Sequence, residues 1–428
     1  MNVRRNILAP TFIATLLVSF VAAISLFTIG KIDYALEAQP AFDALRHGHA
    51  GLFLDRSPAY GGSLILRAPL ALLPSLWGGG ALDVFRAVSA PAVLALLIYA
   101  LLLWDAGARR GSKRAGWVAL LLVAANPLAF FALRTGHAEE IIATLACIAS
   151  AVAVSRGRPG LAGVLLGVAI ACKPWAVIAV GPLMLLLDRG RIRFLAIAGA
   201  VTAAIVAPIM LHGGAGAAAT TTVAHSTGTI ANPWQVWWFF GEHAGPVYRT
   251  YGRVFHDYRV EPNWVTQISH PVVVLLPALI CAVRFRAMRG RAWHDVLLLL
   301  AAVFFARCLL ATWNHYSYAL PAAFALGTWE VLAHRRAPVA AWALTLLHFA
   351  GIVVVPTFAG ADVQAVLYLA WSLPFLAALM TAAFAPRAWA AFVARLSRRH
   401  ARSAELAPGH VTAGLRADDP DEVLLAYR

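Results

Sequence analysis

Long apolar stretches alternate with short polar connections along almost the whole chain. Each stretch runs for roughly 20 residues, the length at which an α-helix crosses the hydrocarbon core of a bilayer. The stretches are continuous and rich in Leu and Ala, whereas a transmembrane strand alternates apolar and polar positions. The pattern predicts an all-α polytopic membrane protein with about 12 transmembrane helices.

Two parts of the pattern are irregular. Gly and Pro interrupt the piece from Gly61 to Trp77, which is typical of a re-entrant or interfacial segment. The stretch from Gly160 to Leu187 is long for one span, and Lys173 precedes a proline at its middle. Because the residue before a proline disfavours helix, we expect two short spans that meet at Lys173.

Two polar segments, 30–60 and 212–269, are longer than the connections elsewhere. Connections between packed helices are usually short, so we expect both segments to form outer loops that carry function. The organisation predicted is a single transmembrane domain over residues 1–402. A flexible cytoplasmic tail follows it over 403–428.

The composition agrees with this class, since 61% of the residues are hydrophobic and 13% are charged, with a mean hydropathy of +0.72. The net charge of +15 does not indicate nucleic acid, because the Lys and Arg stand in short clusters between apolar stretches. Such clusters mark cytoplasmic loops and attract anionic membrane lipids. Assigning them to the inner face accounts for the whole net charge. Both termini are then cytoplasmic, and a site facing outward is expected.

The first outer segment offers a candidate general base. Asp33 follows the first span by a few residues, where a helix end holds a carboxylate near the bilayer surface. The alternative is that Asp33 pairs with Lys31 or Arg56, or meets only water. Asp43 is a rival base in the same segment.

A second acidic group stands between the third and fourth spans, in the sequence Gly136-His137-Ala138-Glu139-Glu140. Two carboxylates beside a histidine can bind a sugar hydroxyl, a metal or another cation. Acids at this position also stabilise a helix N-terminus through its dipole, and the sequence leaves both interpretations open.

Four basic residues lie at or within apolar stretches, and they are Arg67, Arg134, Lys173 and Arg307. Ionisable groups at membrane depth usually face a cavity or a partner. Positive groups near the outer surface suit an anionic headgroup such as a lipid phosphate. The alternative is that each side chain extends to the interface.

Further candidates for sugar or acceptor binding are Tyr60, Trp234 and His315. Trp234 belongs to the dense aromatic run from Asn232 to Trp238, whose indoles can stack on sugar rings or form an interfacial belt. The pair His47 and His49 offers ligand types without an identifiable partner set, so no metal ligand is assigned.

Taken in order, these motifs resemble the GT-C class of membrane glycosyltransferases, and within it the bacterial mannosyltransferase-like branch of actinobacterial type. The resemblance covers roughly residues 1–330. It is carried by the following stretches: Asp33-Tyr34, Tyr60-Gly-Gly-Ser with Arg67-Ala-Pro69, Asn126-Pro127 with Gly136–Glu140, Gly163–Gly167 with Lys173-Pro174-Trp175, and Asn232-Pro-Trp234-Gln.

The resemblance implies an inverting transfer at the outer face of the bacterial cytoplasmic membrane. A mannose-like hexose or a pentose would pass from a polyprenyl-phosphate donor to a lipid or glycan acceptor. Asp33 would activate the acceptor, while Lys173 and nearby arginines would hold the lipid phosphate. Many members carry paired acids in the first loop, whereas Asp33 stands alone between Ile32 and Tyr34. No cofactor is therefore certain, although a divalent cation is possible.

The alternative function is a secondary transporter, or a lipid-sugar flippase or scaffold without transferase activity. Transporters also contain about a dozen helices, often in two related halves with broken helices at matching positions. The sequence shows one broken element, at Lys173-Pro174, without a counterpart in the second half.

Overall fold

The computed structural model describes residues 7–27, 33–58, 61–212, 230–243, 247–250, 253–256, 259–288 and 293–385, together with Arg395. Tyr60 and the tail 403–428 lie outside these residues. The first part of the second outer segment lies outside them as well.

Helices dominate the described chain. In chain order the α-helices are α1 (Leu8–Phe27), α2 (Gln39–Arg46), α3 (Ala50–Arg56), α4 (Gly62–Leu72), α5 (Ala81–Arg110), α6 (Lys113–Ala124), α7 (Pro127–Thr135), α8 (Ala138–Ser155), α9 (Pro159–Cys172), α10 (Val180–Leu186), α11 (Arg191–His212), α12 (Asn263–Met288), α13 (Asp295–Leu310), α14 (Leu320–Ala333), α15 (Val339–Phe349) and α16 (Ala361–Phe384). Short 3₁₀ and π-helical pieces connect several of them.

Among the described residues, eight helical segments are long and apolar enough to cross a membrane: Leu8–Phe27, Ala81–Arg110, Lys113–Thr135, Ala138–Ser155, Arg191–His212, Asn263–Val283, Val339–Thr357 and Ala361–Phe384. Shorter apolar segments occur at Gly62–Trp77, Pro159–Cys172, Pro174–Leu186 and Leu320–Ala333. Helix α13 is buried on all sides along nearly its whole length, so it forms the centre of the bundle. The prediction of an all-α polytopic membrane protein is confirmed.

The break expected at Lys173 is present. Helix α9 ends at Cys172, Lys173 has an extended backbone, and Pro174 begins a 3₁₀ helix that leads into α10. A second break separates α6 from α7, where the Asn126 side chain accepts hydrogen bonds from the backbone N–H groups of Leu128 and Ala129. Asn126 therefore caps α7, with Pro127 at the first helical position.

Helix α9 packs closely on α11 because glycines face the contact. A Cβ added at Gly163 would lie 2.7 Å from the carbonyl oxygen of Phe194, and one at Gly167 would lie 2.7 Å from that of Ala198. Small residues at such crossings let helix backbones approach each other within a membrane. This contact holds α9, which ends next to Lys173, against α11.

The first polar segment, expected as a loop, is largely helical. A π-helix (Tyr34–Ala38) leads into α2, and α3 follows. Tyr34, Ala38, Ala41 and Phe42 are buried. This spacing places them on one helical face, so the segment packs onto the bundle by an apolar stripe within an otherwise polar sequence.

The second polar segment contains short antiparallel strands around the 3₁₀ helix Val236–Phe240. The strand Arg259–Val260 pairs with Ile230–Ala231 on one side and with Glu242–His243 on the other. The strand Val247–Thr250 pairs with Arg253–His256. The indole N–H of Trp238 donates to Asp362 at 2.8 Å, and the Arg259 guanidinium lies 3.0 Å from the same carboxylate oxygen. These contacts attach the segment to the first turn of α16.

Candidate active site

Polar side chains from distant parts of the chain meet at one end of the bundle. Asp33 comes from the start of the first polar segment, Glu139 and Glu140 from the first turn of α8, and Lys173 from the break after α9. Arg67 of α4, Arg307 of α13 and the neighbouring histidines complete the cluster. The cluster therefore unites both candidate acidic motifs with three of the four basic candidates.

A left-handed glycine turn places two of these motifs side by side. Gly136 has φ +97° and ends α7, so that α8 begins two residues later. A Cβ on Gly136 would overlap Tyr34. This close approach, available only to glycine, brings His137 next to Asp33.

Glu139 is the most heavily bonded acid of the cluster. Its Oε2 lies 3.1 Å from the Arg67 Nη2, and its Oε1 lies 3.3 Å from the Lys173 Nζ and 3.0 Å from the His137 Nδ1. The residue is 2% exposed. A carboxylate removed from water to this degree persists only when it is paired and hydrogen-bonded, and Glu139 is both.

All three guanidinium nitrogens of Arg67 have protein acceptors. The Nε donates to the Ser63 carbonyl at 3.1 Å, the Nη1 to the Val88 carbonyl at 3.4 Å, and the Nη2 to the Ser63 hydroxyl at 3.0 Å as well as to Glu139. Arg67 was predicted to bind a donor phosphate, and this stays a prediction. In the structure its Nη2 pairs with the Glu139 carboxylate.

Glu140 organises the opposite side of the cluster. Its Oε2 accepts a 2.9 Å hydrogen bond from the Trp175 indole, and its Oε1 lies 3.8 Å from both the Lys173 Nζ and the Arg307 Nη2. The Arg307 guanidinium carbon lies 4.8 Å from the Trp175 ring centroid and 4.0 Å from that of Tyr318. Both distances are within the range of cation–π attraction.

Arg307 keeps an unused donor. It is 6% exposed, yet its Nη1 has no hydrogen-bond partner among the described residues. A buried guanidinium N–H without an acceptor is costly and marks a position at which an anionic group would be stabilised.

Asp33 lies between two histidines. Its Oδ2 is 3.5 Å from the His137 Nε2 and 3.8 Å from the His315 Nε2, and the two imidazole rings meet edge to face at 5.6 Å. Burial and Lys173 lower the pKa of His137, but hydrogen bonds to Asp33 and Glu139 outweigh them and raise it to about 9. His137 is therefore a cation at neutral pH.

Glu37 was not among the sequence candidates. It lies one helical turn beyond Asp33, and its charge interacts with those of His137 and Lys173. Burial, followed by the nearby carboxylates of Asp33 and Glu139, raises the pKa of Glu37 despite these cations. The spacing of four residues from Asp33 was a signal in the sequence, because such residues share a helical face.

The remaining candidates have other surroundings. Arg134 lies with its guanidinium carbon 5.9 Å from the ring centroids of Phe130 and Phe131. Trp234 is buried, and its carbonyl accepts a 2.8 Å bond from the Asn314 side chain, next to His315. Asp43 accepts a 3.3 Å hydrogen bond from Gln39 within α2. Tyr60 lies outside the described residues.

The arrangement separates two chemical functions. A carboxylate with two imidazoles is suited to proton transfer. The Arg307 Nη1, which has no acceptor among the described residues, is suited to bind an anion. Within the described part of the chain, no group of three or more His, Cys, Asp or Glu side chains is arranged to hold a metal ion.

The fold and this cluster define a multi-pass membrane protein with a buried polar cluster at one end of its helices. Residues 62–313 match the family model of glycosyltransferase family 87. The match covers more than half of the chain, which therefore belongs to that family of GT-C-like membrane glycosyltransferases. The search of curated proteins gave no match.

Proposed function

We propose that the protein transfers a mannose-like hexose or a pentose from a polyprenyl-phosphate donor to a hydroxyl of a lipid or glycan acceptor, with inversion at the anomeric carbon. The observation that carries the proposal is the juxtaposition of Asp33 and its two histidines with the cations around Glu140. Membership of a membrane glycosyltransferase family supports transfer over the transport alternative.

Asp33 is the proposed base. Its carboxylate accepts the proton of the acceptor hydroxyl as the oxygen attacks the anomeric carbon, and the bond from that carbon to the phosphate oxygen breaks. The imidazoles of His137 and His315 orient the carboxylate from two sides, at 3.5 and 3.8 Å. Positioned proton acceptors of this kind contribute roughly 100-fold to 10,000-fold to a rate.

Arg307 and Lys173 are the proposed binding groups for the leaving lipid phosphate. The unused Nη1 of Arg307 supplies a donor for a phosphate oxygen, and the rings of Trp175 and Tyr318 hold the guanidinium plane. Fixed cations aimed at charge that develops in the transition state lower its free energy.

The proposed location is the outer face of a bacterial cytoplasmic membrane. The ends of the helices opposite the cluster carry basic residues, at Arg109–Arg114, at Arg156 and Arg158, at Arg189–Arg193 and at Arg335–Arg336. Basic loops favour the cytoplasmic side, which supports an outward-facing site and cytoplasmic termini.

A transfer assay with the purified protein in lipid vesicles tests the proposal. Polyprenyl-phosphate sugars, mannose first, are supplied with lipid acceptors, and the wild type is compared with Asp33→Asn. We expect the substitution to lower the rate about 100-fold or more. Asp43→Asn tests the rival base, and Asp55→Asn on α3 serves as the matched carboxylate control.

Each outcome bears on one part of the proposal. An unchanged rate in Asp33→Asn would eliminate that carboxylate as the base. Transfer from nucleotide sugars but not from lipid-linked ones would refute the donor class. A folded wild type that binds lipid-linked sugars but transfers none would indicate a flippase or scaffold.

A further inference from the structure

The segment that carries His315 has no regular secondary structure. Residues 311–319 connect α13 to α14 without helix or strand, next to the buried cluster. Buried backbone groups of this connection need hydrogen-bond partners within the protein. The position of the His315 imidazole beside Asp33 therefore depends on whatever holds this connection.

A closed chain of side-chain hydrogen bonds holds it. The Asn314 Nδ2 donates to the Tyr368 hydroxyl oxygen at 3.1 Å. That hydroxyl lies 2.8 Å from the His348 Nδ1, and the His348 Nε2 lies 3.3 Å from the His315 carbonyl oxygen. The chain thus begins and ends on two consecutive residues, and it passes through α16 and α15.

The chemistry of the partners fixes the direction of every bond. A carbonyl oxygen can only accept, so the His348 Nε2 carries the proton and donates to His315. The Nδ1 is then the acceptor, and the Tyr368 O–H donates to it while its oxygen accepts from Asn314. His348, Asn314 and Tyr368 are at most 1% exposed, so water does not compete for these bonds.

A reciprocal pair extends the chain to the second polar segment. The Asn232 side chain donates to the Asn314 carbonyl at 2.7 Å, and the Asn314 side chain donates to the Trp234 carbonyl at 2.8 Å. The connection before His315 is thereby held from α15, α16 and the second polar segment together.

We propose that His348 and Tyr368 are positioning residues that act through His315 to keep its imidazole opposite Asp33. The inference rests on the proposed function, in which Asp33 receives the proton of the acceptor. The alternative is a purely structural role, in which the bonds only satisfy buried polar groups and stabilise the fold. The two roles predict different results in a variant that lacks the His315 imidazole. A positioning role predicts that removing these hydrogen bonds no longer changes the transfer rate there, whereas a structural role predicts that it still does.

Tyr368→Phe is the test substitution, because it removes only the central hydroxyl. We expect transfer at saturating donor to fall about tenfold, since small displacements of reacting groups have large effects on rate, while the donor KM stays unchanged. Tyr99→Phe is the matched control. Its hydroxyl is likewise within hydrogen-bond distance of the Phe324 carbonyl and of the Thr328 hydroxyl on α14, away from His315.

The substitution is repeated in a His315→Gln background. A positioning role predicts that Tyr368→Phe has no further effect on the rate there. A structural role predicts the same loss in both backgrounds, and that result would overturn the proposal. His348→Phe, which removes the next link, is expected to behave like Tyr368→Phe.

A readout without transfer separates this inference from the proposed function. Diethyl pyrocarbonate modification, followed by mass spectrometry, reports the reactivity of His315 against that of the exposed His49. We expect the His315 reactivity to change several-fold in Tyr368→Phe and to stay constant in Tyr99→Phe. If the wild type transfers no sugar, the proposed function fails. An unchanged His315 reactivity in Tyr368→Phe would then refute the positioning role by itself.

Discussion

Replacing Glu139 by Gln removes the charge that balances the centre of the cluster. The side chain keeps its shape, but the bonds from Arg67, Lys173 and His137 lose their anionic acceptor. The amide N–H groups of Gln would also face the donors of Arg67, Lys173 and His137. The substitution therefore leaves buried cations without compensation.

The size of the effect follows from this burial. Removing one partner of a buried ion pair typically destabilises a protein by about 3–5 kcal/mol. The Gln oxygen still accepts one hydrogen bond, so the lower end of that range, about 3 kcal/mol, is expected. The exposed pair of Asp105 and Arg109 on α5, whose side chains are 31% and 67% exposed, provides the contrast. Exposed pairs of this kind contribute little to stability.

The assay is thermal unfolding of the purified protein in detergent, with Glu139→Gln beside Asp105→Asn. We expect a melting temperature several degrees lower for Glu139→Gln and no measurable change for Asp105→Asn. The double variant Arg67→Gln with Glu139→Gln should be less destabilised than the sum of its single variants, because it removes a cation together with its anion. Equal melting temperatures for Glu139→Gln and Asp105→Asn, or strict additivity in the double variant, would refute the reasoning.

Two further predictions concern the junction of α7 and α8. The pKa of His137 rises from 6.5 to about 9, so the stability from its protonated form is full below about pH 6.5 and is lost as the pH rises through 9. The melting-temperature difference between the wild type and His137→Gln should accordingly shrink over that interval, and a difference that grows with pH would contradict the assignment. Gly136→Ala should destabilise the protein and reduce transfer, because the added Cβ overlaps Tyr34. Gly157→Ala, at φ +68° with open space around it, should destabilise the protein by only about 1 kcal/mol and leave transfer intact.

The class of fold was predictable because it depends on segment length and hydropathy alone. The break at Lys173 was predictable as well, since proline restricts the residue before it. The helices of the first polar segment were missed because its apolar stripe, Tyr34 to Phe42, lies within a sequence rich in charge. Four apolar positions at helical spacing are a weak sequence signal for a helix among so many charged residues. The helix is stabilised by packing on the bundle, which the sequence alone does not show.

The sequence predicted most of the residues that form the site but not how they are arranged. The sequence indicated Asp33, Glu139 and Lys173, but their mutual distances depend on how α8, α9 and the first polar segment pack together. The bonding of Arg67 depends in the same way on the Ser63 and Val88 carbonyls, which sequence spacing does not reveal. Tyr368 and His348 gave no local signal, because their partners lie in a connection tens of residues away.

The basic residues of the cluster differ in whether they keep a hydrogen-bond donor for a substrate. Arg67 has no unused nitrogen, whereas the Arg307 Nη1 has no described partner although the residue is almost fully buried. Hydrogen bonds to charged groups are the stronger ones, so a buried donor of this kind gains most from an anion. The proposed site for the lipid phosphate is therefore the side of the cluster formed by Arg307, Trp175 and Tyr318. Asp33 lies on the other side of the cluster with its two imidazole partners. In the proposed mechanism, Arg307 holds the leaving anion and Asp33 accepts the proton on separate sides of the cluster, so the two charges do not neutralise each other.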